Sequence, residues 1–193
     1  MLSNNSIQAG KSNRSRGFTL IEALVVVAIV AITSAIVIPG MSGFVYDSRV
    51  SSNVNEFIGA MTLARTEAVK RGRLVTICRS SNADTPTPSC AAGSDWASGW
   101  IVFQESSTST NVGSFESPDA LVQRRGPLIT GMIAQSTPAI SGVTFNSLGE
   151  QVGSSTGVMS FDFSVKNKST RKVCINRNGR VKVIQKPTPS TTC

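Results

Sequence analysis

The C-terminal part of the sequence is rich in basic residues and lacks acidic ones. No Asp or Glu follows Ser164, whereas eight of the 19 basic residues of the chain lie beyond it. These are Lys166, Lys168, Arg171, Lys172, Arg177, Arg180, Lys182 and Lys186. Clustered cations repel one another, so their presence without acids suggests an anionic partner, and the phosphates of a nucleic-acid backbone are one such partner.

The dipeptide Asn178-Gly179 is a strong signal for a β-hairpin. A two-residue loop there would place Arg177 opposite Arg180, and like charges facing across a strand pair are destabilising. Arg180 and Lys182 would project from one face, ~6.6 Å apart at the rise of a strand. That spacing suits two neighbouring phosphates, and the backbone at Gly179 would add polar groups at the exposed tip.

Other cations are weaker candidates for the same role. Arg171 and Lys172 directly precede the predicted strand 173–177, and Arg124 and Arg125 form a second basic pair. The segment QRRG around that pair also fits a solvated turn. The hairpin itself has an alternative interpretation, in which it is a solvated structure that never contacts DNA. No recognition-helix pattern is present, so binding would be to phosphates and would carry no sequence preference.

The cysteines predict disulfides rather than a metal site. The chain has four cysteines outside any CxxC spacing and no histidine, so a zinc site is not expected. Three disulfide pairings are possible, and we favour Cys78–Cys90 with Cys174–Cys193, because each closes a loop rich in Ser, Thr and Pro. Free buried thiols are the alternative. Without histidine or a nucleophile motif we expect neither an enzyme nor a cofactor.

The N-terminus combines a polar cationic segment with a long apolar one. Residues 1–17 carry three basic residues and no acid. The apolar run that follows, from Phe18 to Ile38, is interrupted by a single charge, Glu22. The run would span ~30 Å as a helix, the thickness of a bilayer core. Arg14 and Arg16 favour a cytoplasmic N-terminus. A secretory signal would be shorter and cut after its apolar core, whereas the plausible cut here, Gly17-Phe18, precedes it.

The segment RGFTLIE, residues 16–22, resembles the prepilins of type IV pili and type II secretion systems. The resemblance implies cleavage after Gly17 by prepilin peptidase and N-methylation of Phe18. It also implies that Glu22 pairs with the N-terminal ammonium of a neighbouring subunit during filament assembly. The alternative for Glu22 is an acid that reaches the membrane interface. Pro39 falls where pilins often carry a helix-weakening proline.

The hydrophobic pattern predicts one long helix, from about Phe18 to Arg71. Its second half has an apolar face at three- and four-residue spacing: Val50, Val54, Phe57, Ile58, Met61, Ala64 and Ala68. Gly72 is the expected C-cap. We therefore divide the chain into a leader (1–17), a transmembrane helix that also forms the filament core (18–44) and a periplasmic globular head (45–193).

The pattern in the rest of the head predicts β-strands joined by loops. Short apolar or alternating runs at 74–79, 100–104, 158–165, 173–177 and 180–185 predict strands, and stretches rich in Ser, Thr and Gly at 80–95, 106–118 and 134–142 predict loops. The expected fold class is α+β: a long N-terminal helix packed on an antiparallel sheet, as the resemblance to pilins implies.

Two further segments resemble one subgroup of the prepilin family. Trp96 and Trp100, in DWASGW, are similar to a segment of the FimT/GspH-like minor pilins, although packing alone explains two tryptophans. NGRVK, residues 178–182, resembles the GRxR motif of FimT proteins, which bind DNA in natural transformation; Gly179 and Arg180 match and Lys182 replaces the final arginine. Lysine keeps the charge but loses the bidentate fork.

The resemblance implies two functions that the residues leave open. The first is a FimT-like minor pilin that captures extracellular DNA, and the second is a purely structural GspH-like pseudopilin that initiates or caps a pilus or a secretion pseudopilus. Either protein would cross the inner membrane once, with its head in the periplasm, before it enters the filament. Its partners would be other pilins and prepilin peptidase, together with DNA under the first reading.

Overall fold

The computed structural model describes residues 17–109, 111–153, 157–165, 169–188 and 192–193, except the side chains of residues 36–40, 42 and 169. The predicted leader up to residue 16, and Lys166 and Lys168, lie outside this range. The chain divides into two compact units, Met1–Met41 and Ser42–Cys193.

Helix α1 runs from Leu20 to Arg71, which confirms the predicted long helix. Thr19 caps its start, because its hydroxyl oxygen accepts a hydrogen bond from the Glu22 amide at 3.3 Å. At the other end Gly72 adopts a left-handed conformation (φ 64°), and the Arg73 amide donates to the Ala68 carbonyl at 3.3 Å. This is the Schellman arrangement that a glycine after the last helical residue permits.

In the first unit the described apolar side chains of the helix are exposed. They include Leu20, Ile21, Leu24, Val27 and Ile32. Among the residues that the structure describes, no helical stretch is long and apolar enough to cross a membrane. The side chains of residues 36–40 and 42, which belong to the predicted transmembrane helix 18–44, lie outside the described ones. The transmembrane role of residues 18–44 stays a prediction.

The second half of the helix supplies one wall of the core of the second unit. Phe57 lies at its centre, with its ring centroid 5.6 Å from that of Trp96 and 5.4 Å from that of Trp100. Both tryptophans are fully buried, as expected of packing residues. The predicted face is confirmed except that Ile58 is only partly buried and Ala60 joins the core. The buried helix residues are Val50, Val54, Phe57, Ala60, Met61, Ala64 and Ala68.

The strands form two antiparallel sheets. In chain order they are β1 (Val75–Arg79), β2 (Trp100–Gln104), β3 (Ala120–Arg125), β4 (Met132–Thr137), β5 (Gly142–Phe145), β6 (Gln151–Val152), β7 (Met159–Val165), β8 (Ser169–Ile175) and β9 (Val181–Gln185), with a 3₁₀ turn at Trp96–Ser98. One sheet has the order β3-β2-β1-β5-β6 and the other β4-β7-β8-β9. The predicted α+β class with an antiparallel head is confirmed.

Four strands, β3 to β6, were not predicted from the sequence. Part of the predicted loop 134–142 is strand β4, whose residues alternate between buried and exposed. Its inward positions include Ala134 and Ser136, which are too small or too polar to produce a visible period-two pattern. Strand β3 was not predicted, and it contains the QRRG arginines that we had considered as a possible turn.

Both predicted disulfides are present. Cys78 bonds to Cys90 and Cys174 bonds to Cys193, and no described cysteine is free. The first closes the loop that follows β1. The second ties the C-terminal residues to β8, on the sheet face opposite the core side chains Val173 and Ile175, because neighbouring residues of a strand project to opposite faces.

Candidate nucleic-acid interface

The basic hairpin has a different loop from the predicted one. In the β8–β9 pair, Ile175 lies opposite Val181 and Cys174 opposite Lys182. The Asn176 amide donates to the Arg180 carbonyl at 3.0 Å, and the Gly179 amide donates to the Asn176 carbonyl at 2.8 Å. The loop therefore has three residues, 177–179, and the expected pairing of Arg177 with Arg180 is wrong.

The conformation of Gly179 explains the loop. A two-residue type I′ turn requires positive φ at both central residues. Gly179 has φ 72°, but Asn178 is not among the described non-glycine residues with positive φ. The Asn178 side chain instead accepts a hydrogen bond from the Arg180 amide at 3.2 Å. This is the common three-residue hairpin with a left-handed glycine at its end.

The hairpin tip is docked on the rest of the head. The Arg177 carbonyl accepts a hydrogen bond from the Gln151 amide of β6 at 2.9 Å, and the Asn176 carbonyl accepts one from the Gln151 side-chain amide at 2.7 Å. Gln151 belongs to the five-stranded sheet and the hairpin to the four-stranded sheet. These bonds join the two sheets and hold the backbone of the tip in place.

Gly179 is buried, although it belongs to the segment that we predicted to contact DNA. A Cβ built on it would lie 2.4 Å from the Gly149 carbonyl oxygen and 2.8 Å from Nε of Arg65. Both distances are shorter than any real Cβ contact. Gly179 is therefore required by packing, and its backbone is not an exposed donor.

The cations of the hairpin itself are exposed. Arg177, Arg180 and Lys182 all reach solvent, and none of them forms an ion pair with any residue that the structure describes. Glu150, in the turn before β6, is the nearest acid in sequence to the Gly149 contact, and it is exposed as well. The hairpin thus presents three uncompensated positive charges on a rigidly held backbone.

The weaker candidates are mostly committed to internal contacts. Arg171 lies 3.9 Å from Asp47 and donates to the Ser51 hydroxyl at 3.2 Å, and its side chain is only 12% exposed. Lys172 pairs with Asp162 at 3.5 Å and is 16% exposed. These charges stabilise the head and are poorly placed to bind a polymer, so we remove both residues from the candidate interface.

Of the two arginines in QRRG, one forms an ion pair within the head and the other is exposed. Arg125 pairs with Glu56 of helix α1 at 2.5 Å, so its charge is neutralised within the head. Arg124 is exposed and donates one hydrogen bond to the Thr85 carbonyl at 3.2 Å. Both lie on β3 of the five-stranded sheet, whereas the hairpin is in the other sheet. Among the described residues, no hydrogen bond or ion pair joins either arginine to the hairpin.

One cation at the hairpin was not identified from the sequence. Arg65 of helix α1 donates from Nε to the Gly149 carbonyl at 2.9 Å and lies beneath Gly179. Its spacing does not distinguish it from the other cations of the helix, Arg49, Lys70 and Arg71. Only the fold brings positions 65, 149 and 179 into contact.

The predicted processing and assembly residues lie at the start of the described chain. Gly17 is exposed, and the Phe18 side chain is 79% exposed. Glu22 is exposed and forms no ion pair within the part of the chain that the structure covers. Their roles in cleavage, methylation and filament assembly stay predictions.

A buried carboxyl group lies in the five-stranded sheet, apart from these sites. The Glu105 Oε1 atom accepts hydrogen bonds from the Thr76 hydroxyl at 2.6 Å and from the Gly113 amide at 2.9 Å, while Oε2 has no partner among the described residues. Burial raises the pKa of Glu105, and the nearby carboxylates of Asp119 and Glu116 raise it further, against the two hydrogen bonds.

Comparison with known proteins gives two family matches. The sequence profile described as type II transport protein GspH matches residues 53–179, and that of the prokaryotic N-terminal methylation motif matches residues 12–38. The first covers two thirds of the chain and ends at Gly179, so that Arg180 and strand β9 lie beyond it. The second contains Gly17, Phe18 and Glu22.

Individual relatives are more distant. Prepilin peptidase-dependent protein D of Escherichia coli (strain K12) is 34% identical over 76 residues, 39% of this chain and 51% of that protein. The chain thus spans about half the length of the curated relative that it matches.

Two crystal structures of the type IV minor pilin FimU from Pseudomonas aeruginosa (strain PAO1) share the fold. The form in space group P21 has a TM-score of 0.54 at 19% identity and covers 71% of this chain and 89% of its own. The form in space group P65 has a TM-score of 0.51 at 18% identity and covers 69% and 91%. At these identities the similarity is one of fold.

Proposed function

Because this chain belongs to the GspH family of type II transport proteins, we propose that it is a membrane-anchored minor pilin whose head binds the phosphate backbone of extracellular DNA. Family membership and the methylation motif make the chain a minor pilin or pseudopilin of a type IV pilus or a type II secretion system. We further propose that the filament is a type IV pilus and that the ligand of the head is DNA.

The proposed course of assembly begins at the N-terminus. Prepilin peptidase cleaves after Gly17, Phe18 is methylated, and the apolar segment from Phe18 holds the chain in the inner membrane. The exposed apolar side chains of the helix then pack against other pilins. The Glu22 carboxylate, which has no ion-pair partner within the described chain, binds the N-terminal ammonium of a neighbouring subunit.

One observation carries the DNA proposal. Arg177, Arg180 and Lys182 are exposed at a docked hairpin and form no ion pair with a described residue, whereas Arg171, Lys172 and Arg125 each pair with an acid. A structural subunit gains nothing from leaving three neighbouring cations uncompensated. A polyanion neutralises them and releases its own counterions, which drives binding.

The hairpin also indicates how DNA is bound. The exposed tip residues Arg177, Asn178 and Arg180 include no aromatic ring on which a base could stack. Contacts to phosphate and sugar carry no direct sequence information. We therefore expect binding without sequence preference, and binding to duplex DNA that is no weaker than to single strands.

The test is the salt dependence of binding to duplex DNA. When the logarithm of the binding constant is plotted against the logarithm of the salt concentration, each phosphate contact contributes ~0.9 to the steepness of the line. Changing Arg177, Arg180 and Lys182 together to Gln should therefore flatten this slope by ~2 to 3 units. Full-length protein in neutral detergent and a fluorescent duplex of mixed sequence suffice for an anisotropy titration. The double variant Arg49→Gln with Arg73→Gln removes exposed cations elsewhere in the head and should leave the slope nearly unchanged.

A purely structural pseudopilin is the second candidate. The observation that favours it is the buried packing of Gly179, since half of the match to the DNA-binding motif is then explained without a ligand. If the wild-type protein shows no binding even near ~50 mM salt, the DNA proposal fails and the structural role replaces it. Genes encoded beside this one would separate a pilus from a secretion system.

A further inference from the structure

We propose that Arg65 of helix α1 is a phosphate-binding residue of the same interface and that it extends the cationic surface from the hairpin onto the helix. The inference rests on the proposed function, because it names a further binding residue at that site. Nothing in the sequence singles out Arg65, which precedes the hairpin by more than a hundred positions.

The backbone of two glycines encloses the stem of Arg65. A Cβ built on Gly149 would lie 2.9 Å from Nε of Arg65 and 3.3 Å from its Cγ, and one built on Gly179 would lie 2.8 Å from Nε and 3.0 Å from Cδ. Both glycines have positive φ. The side chain therefore runs between the β5–β6 turn and the hairpin tip, and its rotamers are restricted before any ligand arrives.

The guanidinium group keeps most of its hydrogen-bonding capacity. Arginine has five N–H donors, and only the one on Nε has a hydrogen-bond acceptor among the described residues, the Gly149 carbonyl. Arg65 forms no ion pair within the described chain. The two terminal nitrogens can therefore bind a phosphate in the bidentate manner that arginine favours.

The surrounding charges are positive on balance. Arg180 is adjacent to Gly179 and Arg177 is two residues away, so their Cα atoms lie within ~8 Å of that glycine. Three arginines thus gather around the Gly149–Gly179 contact. Glu150 is the one carboxylate in the adjoining turn, and it is exposed.

A groove beside Arg65 gives the phosphate room. It has a volume of about 290 Å³ and is lined by Thr62, Arg65, Thr66, Val69 and Lys70. Lys70 lies at its far end; its ammonium is 3.8 Å from Glu67 and its side chain is 77% exposed. Under this proposal a phosphate backbone bound at the hairpin tip continues along this groove.

The competing explanation is that Arg65 only holds the turn in place. Substitution with lysine separates the two roles, because lysine keeps the charge but has no Nε donor for the Gly149 carbonyl. A phosphate contact predicts that Arg65→Lys restores the salt slope lost in Arg65→Gln. A structural role predicts that both variants behave alike.

The experiment uses full-length protein in neutral detergent and a duplex DNA of mixed sequence, titrated between ~50 and ~300 mM NaCl. We expect Arg65→Gln to flatten the log–log slope by about one unit and to weaken binding about tenfold. Arg65→Lys should keep nearly the wild-type slope. Arg49→Gln, the same change ~24 Å earlier on the same helix, should change neither, and Glu150→Gln should strengthen binding by removing a repelling carboxylate.

The outcomes separate this inference from the proposed function. If the wild-type protein binds and the hairpin triple variant loses slope, but Arg65→Gln keeps the wild-type slope, Arg65 is not a phosphate contact while the proposed function stands. The same conclusion follows if Arg65→Lys loses as much slope as Arg65→Gln. If the wild-type protein does not bind DNA at all, both fail.

Discussion

The Glu105 carboxyl group is buried and has an incomplete set of hydrogen bonds within the described structure. It is almost fully buried, and one of its oxygens has no hydrogen-bond partner among the described residues. Since burial, Asp119 and Glu116 all disfavour the charged form, the folded protein holds this proton more tightly than the unfolded chain does. Its ionisation therefore destabilises the head.

The sign of the pH dependence follows from proton linkage. Between the ordinary pKa near 4.5 and the raised folded value, the folded state binds more protons, so stability falls as pH rises through this window. The free energy of unfolding of wild type relative to Glu105→Gln should thus decrease from pH ~4 to pH ~8. Urea titrations followed by the fluorescence of the buried tryptophans would measure it. Parallel curves for the two proteins would show that Glu105 does not titrate in this range.

Some cations of the head pair with an acid and others are exposed without an ion pair to a described residue. The sequence does not show which cation belongs to which group, and this limits the prediction of the site. The sequence indicates where cations cluster, and Arg177, Arg180 and Lys182 are indeed exposed. It does not indicate which cations meet an acid, because Asp47 reaches Arg171 across 124 positions. For the same reason Arg65 could not be predicted.

At the scale of elements, the three-residue hairpin loop depends on Gly179. Replacing it with alanine introduces a Cβ 2.4 Å from the Gly149 carbonyl oxygen, at a φ of 72°. The backbone term alone costs ~1–2 kcal/mol, and the clash adds to it. We expect Gly179→Ala to lower the free energy of unfolding by at least ~2 kcal/mol, measured by chemical denaturation.

A matched control isolates the clash. Gly131 also has positive φ (82°), but nothing lies within 4 Å of a Cβ built on it. Gly131→Ala should therefore lower the free energy of unfolding only by the ~1–2 kcal/mol that a left-handed backbone costs a residue with a Cβ. Equal losses in the two variants would mean that the Gly179–Gly149 contact adds nothing to stability.

Elements whose apolar residues recur with a clear period were predictable from the sequence. Elements whose buried positions hold small or polar residues were not. The long helix, β7 and the existence of the β8–β9 hairpin follow from apolar periodicity and from Asn178-Gly179. Strand β4 was missed because Ala134 and Ser136 face inward. The hairpin register was wrong because docking on Gln151 and Gly149 selects the loop conformation, and those contacts are not local in sequence.

At the scale of the whole molecule, the prediction concerns processing. Mature protein should begin at Phe18 and carry one methyl group, because the segment RGFTLIE has the prepilin pattern and the methylation-motif profile spans it. Intact-mass and peptide mass spectrometry would measure this. A mature N-terminus after Ala31 or Ala35 would identify a conventional signal peptide instead, and the proposed anchoring would then be wrong.

The arrangement of the core has a consequence for how fast the head folds. Phe57 packs its ring against those of Phe161 and Phe163, with centroids 4.7 and 5.2 Å away, and the same cluster includes Val173 and Ile175. These partners emerge from the ribosome more than a hundred residues after Phe57. Trp96 and Trp100 can cover part of the apolar face of the helix earlier, but the rest stays uncovered until β7 and β8 are synthesised. Contacts between residues distant in sequence form slowly. The head therefore folds late, and the nascent chain is prone to aggregate unless a chaperone shields that face.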